Sequence, residues 1–294
     1  STEDGGAMIR IALPNKGRLA DGARELLERA GLELEARGER ALLASLGGEF
    51  LALFVRAQDI PEFVADGAAD VGITGRDLVE ESGRPLEVLL DLQCGRCRLA
   101  LAVREEAAIR SPADLPPRAR VATTFPRLAG RFFREQHIDV DLVPVSGAAE
   151  IAPHLGVADA IVDLVSTGST LKVNGLREVA TILESTALLV ARPGLLQDPE
   201  RGRRLRELTA ALESVIRAED KRYLMANVPR HALAEIKRVL PGLSGPTIVD
   251  VLDSGEFVAA HAVVDRRDVY RTIAELKELG AEGILVTRIE RLMP

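Results

Sequence analysis

The chain has 294 residues, 47% of them hydrophobic, which is enough length and apolar content for two or three domains with cores of their own. A formal net charge of −7 lacks the overall basic footprint of a nucleic-acid binder, so a polyanionic ligand would have to be met by local cations. No apolar run is long enough to span a bilayer, and the opening residues lack a basic segment followed by an apolar one. Neither membrane insertion nor export is expected, the expected location is the cytoplasm, and residues 1–7 read as a tail before Met8.

Residues 8–13 form a short apolar strand, and Pro14-Asn15-Lys16-Gly17-Arg18 leads into a helix with Leu19, Ala23, Leu26, Leu27 and Ala30 on one face. Small residues and two cations at a strand-to-helix turn can receive phosphate. Residues 40–46 and 50–56 flank Gly47-Gly48, a hairpin signal, and 59–66 read as a helix. The stretch Ala69 to Asp77 is a strand ending in a second glycine turn with an arginine, Thr74-Gly75-Arg76. Two such turns at strand C-termini point to ligand binding at the mouth of an open α/β sheet.

Strands at 86–92 and 98–103 lie on either side of Cys94-Gly95-Arg96-Cys97. Two cysteines and four scattered histidines give neither a disulfide framework nor a metal-ligand set. The lone CxxC reads as two ordinary cysteines or, alternatively, as a redox pair activated by Arg96 and Arg98. A second α/β unit follows, with strands at 120–123 and 141–145, a helix from Pro126 to about His137, and a helix around 149–155.

The stretch from Glu150 to Leu171 organises the rest. A buried strand at 160–162 ends in Asp163, then turns through Ser166-Thr167-Gly168-Ser169-Thr170 before a helix start. Small hydroxyl residues around a glycine offer backbone N–H and side-chain O–H groups to one anion, which is the chemistry of a phosphate cradle. An acid upstream would repel the phosphate, so it suits sugar hydroxyls instead. Acid before cradle points to a phosphorylated ribose. The same five residues also fit an ordinary capped turn, since neither a Walker lysine nor a GxGxxG fingerprint is present.

Beyond the cradle, strands are expected at 179–182 and 187–191, then a long amphipathic helix from Pro199 to Ala218 carrying Leu205, Leu208, Leu212, Val215 and Ile216. From Tyr223 the order becomes strand 223–228, helix 229–240, strands 246–251 and 257–264, helix 267–279 and strand 283–289. That is the β-α-β-β-α-β order of a ferredoxin-like unit. His231 and His261 are isolated within it and supply no catalytic spacing.

The 22-residue string E-I-A-P-H-L-G-V-A-D-A-I-V-D-L-V-S-T-G-S-T-L closely resembles the signature of the ATP phosphoribosyltransferases, which join ATP to phosphoribosyl pyrophosphate at the opening of histidine biosynthesis. The resemblance extends to both ends of the chain and implies the long form of that family. It implies an α/β catalytic core of two lobes, similar to type II periplasmic binding proteins, followed by a C-terminal ferredoxin-like domain that binds histidine. On that pattern, residues 8–95 and 180–222 form a discontinuous first lobe, 96–179 the second lobe with the phosphoribosyl pyrophosphate loop, and 223–294 the regulatory domain. Asp163 and Glu150 would contact the ribose hydroxyls and Ser166, Thr167, Gly168, Ser169 and Thr170 the 5′-phosphate. Arg18, Arg56, Thr74, Gly75, Arg76 and Lys16 would lie on the nucleotide side, and Asn227, Leu243 and Thr247 would contact the effector.

The partners so implied are ATP, phosphoribosyl pyrophosphate, L-histidine as allosteric inhibitor and a homo-hexamer. Mg2+ would bridge pyrophosphate oxygens through substrate and water rather than a protein cage. A single Asp precedes the loop here, where better-known phosphoribosyltransferases have two adjacent acids. Gly245 stands where many relatives carry a small polar residue. The competing readings are a two-lobed small-ligand binding protein and a catalytically inactive regulatory subunit.

Overall fold

A computed structural model describes residues 8–36, 42–252 and 255–293. The expected tail at 1–7 and the start of the strand expected at 40–46 lie outside the described residues. The chain divides into two compact units, Ser1–Thr209 and Ala210–Pro294.

The first unit opens with β1 (Ile9–Pro14), whose side chains are buried almost throughout because it is central to a sheet. Gly17, at φ 84°, turns the chain into α1 (Arg18–Arg29), which buries Leu19, Ala20, Ala23, Leu26 and Leu27 on one stripe. Next come β2 (Leu34–Ala36), β3 (Leu43–Leu46) and β4 (Phe50–Val55). Gly47 and Gly48, both with positive φ, are the central residues of the turn in the three-residue loop that closes the antiparallel β3–β4 hairpin, where Leu46 is opposite Phe50. A 3-10 turn at Ala57–Asp59 leads into α2 (Ile60–Ala65), then β5 (Val71–Gly75), α3 (Arg76–Ser82) and β6 (Glu87–Asp91).

The chain then enters a second sheet through β7 (Cys97–Arg104), β8 (Ala119–Thr123), α4 (Pro126–Glu135), β9 (Val140–Pro144), β10 (Ala160–Val165), α5 (Ser169–Val173) and β11 (Leu176–Ser185). It returns to the first sheet as β12 (Ala187–Ala191) and continues into α6 (Pro199–Glu219). The strand orders are β2-β3-β4-β1-β5-β12-β6 and β11-β7-β10-β8-β9. Two α/β lobes crossed twice by the chain make this a type II periplasmic-binding-protein-like core. The crossings are bonded to each other, Leu92 N–H to the Ala187 carbonyl and Ala187 N–H to the Cys94 carbonyl, both at 2.9 Å. The second sheet runs through Ser185, because β11 pairs with β7 from Leu176 to Ser185, with irregularities at Val179 and Ile182. A clasp joins the lobes at a second place: Glu81 of α3 accepts the Arg127 and Leu128 amides at the start of α4, each at 2.9 Å.

Three elements differ from expectation. The helix expected around 149–155 is only a 3-10 turn, Ala149–Ile151. Pro153 lacks the N–H that an α-helix would need there and its ring opposes the carbonyl four residues back. The segment β2 adds an edge strand beside the hairpin, and α3 fills what reads in sequence as a continuing turn.

The second unit carries β13 (Lys221–Pro229), α7 (Leu233–Val239), β14 (Thr247–Asp250), β15 (Phe257–Asp265), α8 (Val269–Glu278) and β16 (Glu282–Arg288) in sheet order β14-β15-β13-β16. That order and connectivity are ferredoxin-like. One sheet face buries Leu224, Ala226, Val228, Val258, Ala260 and Ala262 against Ile236, Leu240 and Leu276 of the helix layer. Strict alternation along β15 places its other residues on the opposite face. No helix among the described residues is long and apolar enough to cross a membrane.

Candidate active site

The two ladders of β10 end at different points. Its parallel ladder with β8 stops at Val162 opposite Thr123, whereas its antiparallel ladder with β7 continues to Val165 opposite Arg98. The Thr123 hydroxyl donates to the Val162 carbonyl at 2.8 Å and closes the shorter ladder. Asp163 is the first residue past that closure, so the strand overhangs there.

Asp163 is half-buried and its Oδ1 accepts the Leu164 amide at 2.8 Å. Burial raises its pKa above the ordinary carboxylate value, and the charge of Glu150 adds to the rise against the opposing pull of that amide. The structure thus brings Asp163 and Glu150, 13 positions apart in sequence, into electrostatic contact in one lobe.

After the overhang, Ser166, Thr167, Ser169 and Thr170 are exposed around Gly168, which sits in the left-handed region at φ 79° and caps the short helix α5. The Thr167 and Ser169 hydroxyls are 2.8 Å apart, so the cradle's oxygens are already gathered on one side. Beneath it lies a residue that sequence reasoning did not assign. Arg98 Nη1 donates to the Ser166 carbonyl at 3.5 Å, while its Nε and Nη2 hold Glu178 at 2.6–3.0 Å. Glu178 also accepts the Thr181 hydroxyl at 2.8 Å. Arg98 holds the Glu178 carboxyl below the usual carboxylate range, and Glu178 in turn raises the guanidinium. Separated by 80 positions, the pair leaves no local signal; each alone reads as an ordinary surface charge.

In the first lobe, Lys16 lies exposed in the loop after β1. Arg18 donates to the Gly95 carbonyl and stands 3.8 Å from Asp77. Arg56 pairs with Asp59 at 2.8 Å, and Arg76 stands 3.6 Å from Asp91. Thr74 is fully buried and its hydroxyl donates to the Ala57 carbonyl at 2.7 Å, so it braces the turn after Arg56 rather than facing solvent. Gly75 is buried at the cap of α3, where an added Cβ would lie 2.2 Å from Asp77 Oδ1. The carboxyl ends of the adjacent parallel strands β4, β1 and β5 therefore carry Lys16, Arg18, Arg56 and Arg76 at one end of the first sheet, while β10 places the hydroxyl loop at the strand ends of the second.

The Cys94 and Cys97 thiols are free, and burial pushes the pKa of both up. The cation acting on them is Arg18, not the neighbouring Arg96 or Arg98 expected from sequence. Burial outweighs it, which disfavours a reactive thiolate. Among the described residues no group of three or more His, Cys, Asp or Glu side chains is placed to hold a metal ion.

In the second unit, Asn227 is opposite Ala259, and Thr247 is opposite His261, which is itself opposite Met225. Direct pairing puts these on the sheet face away from the helices. Asn227 and Thr247 are exposed there, and Leu243 is 60% exposed in the loop before β14. His261 is not isolated: its Nδ1 shares a 2.7 Å hydrogen bond with the Tyr223 hydroxyl.

The family model described as ATP phosphoribosyltransferase matches residues 56–214, and the one described as HisG, C-terminal domain matches 218–291. Two similar curated proteins are both named ATP phosphoribosyltransferase. One, from Gemmatimonas aurantiaca, is 61% identical over 98% of this chain and 100% of its own length. The other, from Haloarcula marismortui, is 50% identical over 97% of this chain and 100% of its own length. Among solved structures, a chain of the ATP phosphoribosyl transferase (HisG:HisZ) complex from Thermotoga maritima superposes with a TM-score of 0.62 at 27% identity, covering 71% of this chain and 98% of that one.

Proposed function

The chain belongs to the ATP phosphoribosyltransferase family, in its long form with the C-terminal HisG domain, and from that premise we propose how its residues divide the reaction. It is a phosphoribosyl-transferring enzyme of the histidine pathway. In the proposed reaction, N1 of the ATP adenine attacks the anomeric carbon of phosphoribosyl pyrophosphate and pyrophosphate leaves. Positive charge develops on the sugar as the bond breaks, and negative charge grows on the leaving group.

The Ser166–Thr170 loop grips the 5′-phosphate through its amides and hydroxyls, and Asp163 with Glu150 accepts hydrogen bonds from the ribose hydroxyls. Asp163 keeps acceptor capacity for this because, among the described residues, only its Oδ1 is bonded, to Leu164. Arg98 stiffens the loop from below through the Ser166 carbonyl without presenting a free charge, since Glu178 neutralises it. Lys16, Arg18, Arg56 and Arg76 neutralise polyphosphate from the first lobe, with Gly75 leaving room for the Asp77 carboxylate beside them and Thr74 supporting the Arg56 turn. No protein nucleophile is needed: alignment and electrostatics lower the barrier. Mg2+ would enter with the substrate, held by pyrophosphate and water rather than by residues of this chain, and would supply positive charge against the leaving group.

Regulation is assigned to the second unit. L-histidine binds beside the exposed sheet face at Asn227, Leu243 and Thr247 and inhibits a cytoplasmic homo-hexamer, a coupling that must be reciprocal with substrate affinity. The observation that carries the catalytic reading is the overhang of β10, which leaves a half-buried acid and an exposed hydroxyl loop side by side. Purified chain mixed with ATP, phosphoribosyl pyrophosphate and Mg2+ should release pyrophosphate, and added histidine should suppress the rate. No release would reject the catalytic assignment, and release indifferent to histidine would reject the regulatory one.

A further inference from the structure

Asp77 lies in the first turn of α3 with none of its surface exposed. Its Oδ1 accepts the Ser185 hydroxyl at 2.5 Å and stands 3.8 Å from Arg18 Nη2. The other oxygen, Oδ2, is buried with no hydrogen-bond partner among the described residues. A buried anion left half-satisfied is unfavourable unless a cation completes it. If the carboxylate served only to pair α3 with Ser185, a neutral side chain would do the same without an orphaned oxygen.

The surroundings identify the cation. Arg18 is the charged side chain paired with Asp77, and it reaches from the start of α1, beside the loop assigned to phosphate. Its Nη1 donates to the Gly95 carbonyl, in the crossing from the first lobe to the second. Ser185 ends β11 at the return crossing, opposite Cys97, and its Oγ also accepts the Asp77 amide at 3.1 Å. The neighbouring Arg76 amide bonds to the Thr186 carbonyl at 2.9 Å. Arg18 is thus tied to one crossing directly and to the other through Asp77. The place a Gly75 Cβ would take is occupied by the Asp77 carboxylate, so the chain gives up a side chain there to let the acid fold back.

We propose that Asp77 is a positioning residue that aims the Arg18 guanidinium at substrate polyphosphate, its open Oδ2 completing a two-pronged contact as Arg18 engages the ligand. A guanidinium carries five donors in a flat fork, so one edge can meet both carboxylate oxygens while another meets phosphate. The proposal rests on the assignment of Arg18 to the nucleotide side.

The test is a double-mutant cycle in the full-length enzyme, read as kcat and KM for each substrate. Asp77→Asn keeps the shape and the Ser185 contact but turns one oxygen into a donor toward Arg18. It should lower kcat/KM about tenfold to a hundredfold, with KM rising for one substrate only. In an Arg18→Gln background the same change should alter kcat/KM by less than about twofold, because its target is gone. Ser185→Ala, a second entry into the cycle should Asp77→Asn not fold, should give a smaller loss that likewise vanishes with Arg18→Gln. Losses that multiply, or an Asp77→Asn enzyme with normal constants beside an impaired Arg18→Gln, would overturn the proposal alone. A normal Arg18→Gln enzyme would overturn the nucleotide-side assignment and this proposal with it.

Discussion

Replacing Asp163 by asparagine should move stability and turnover in opposite directions. Burial and the Glu150 charge raise the Asp163 pKa in the folded chain. The folded state therefore holds this proton to higher pH than the unfolded state does. Below the unfolded value the group costs no stability; the penalty grows as pH rises from the unfolded value and levels off above the raised folded value. Asparagine cannot ionise and keeps an oxygen for the Leu164 amide, so the ligand-free variant should melt above the parent at neutral pH. That advantage should shrink toward zero as pH is lowered to about 4.

Turnover should fall at the same time. A hydrogen bond to a charged group is worth about 1.5–3 kcal/mol and a neutral one about 0.5–1.5, so each ribose contact loses about 1–1.5 kcal/mol. With the asparagine oxygen kept on the Leu164 amide, the open position becomes an NH2 group to which ribose hydroxyls can only accept, and two contacts turned from charged to neutral give roughly a hundredfold loss in kcat/KM for phosphoribosyl pyrophosphate. Thermal melts across pH and initial rates of pyrophosphate release measure the two arms. A variant with parental kcat/KM, or a melting-point gain that persists undiminished to low pH, would refute the reasoning.

Two further changes probe the support of the site. Glu178→Gln should lose about 1 kcal/mol from the part-exposed pair with Arg98, which chemical denaturation measures. Because the Glu178 pKa is depressed, that contribution is present above the unfolded carboxylate value and disappears as pH falls through the folded one, so parent and variant should converge in acid. Gly168→Ala meets nothing closer than 4.0 Å, so its penalty is the left-handed backbone alone, about 1–2 kcal/mol. Its effect should appear mainly as a higher KM for phosphoribosyl pyrophosphate in steady-state kinetics.

Order and type of elements were legible wherever periodicity or turn chemistry was strong. The stripe of Leu19, Ala23, Leu26 and Leu27 gave α1, Gly47-Gly48 gave the hairpin, and the last 70 or so residues gave the ferredoxin-like order. What failed was what depends on partners. The helix around 149–155 had the apolar content but not the donor, since Pro153 stands inside it. Thr74 reads as a ligand-facing hydroxyl in a glycine turn, yet its burial turns it inward to Ala57. The pairs Arg98–Glu178 and Asp77–Ser185 join residues 80 and 108 positions apart, and nothing at either end of such a pair announces the other.

The hydroxyl loop at Ser166–Thr170 stands out in the sequence for the opposite reason. Core positions accept many apolar residues of similar volume, so they specify a period rather than a string. Between Asp163 and Thr170 several residues have a local role of their own. An acid stands on the overhang, a glycine takes φ 79°, and hydroxyls flank it. Local demands of that kind are written in consecutive residues. The cations of the other lobe come from three strand ends and hold their places through distant partners, Gly95 for Arg18 and Asp91 for Arg76. A hydroxyl loop built from consecutive residues is visible in the primary structure; a group of cations drawn from several strand ends becomes visible only once the sheet orders them.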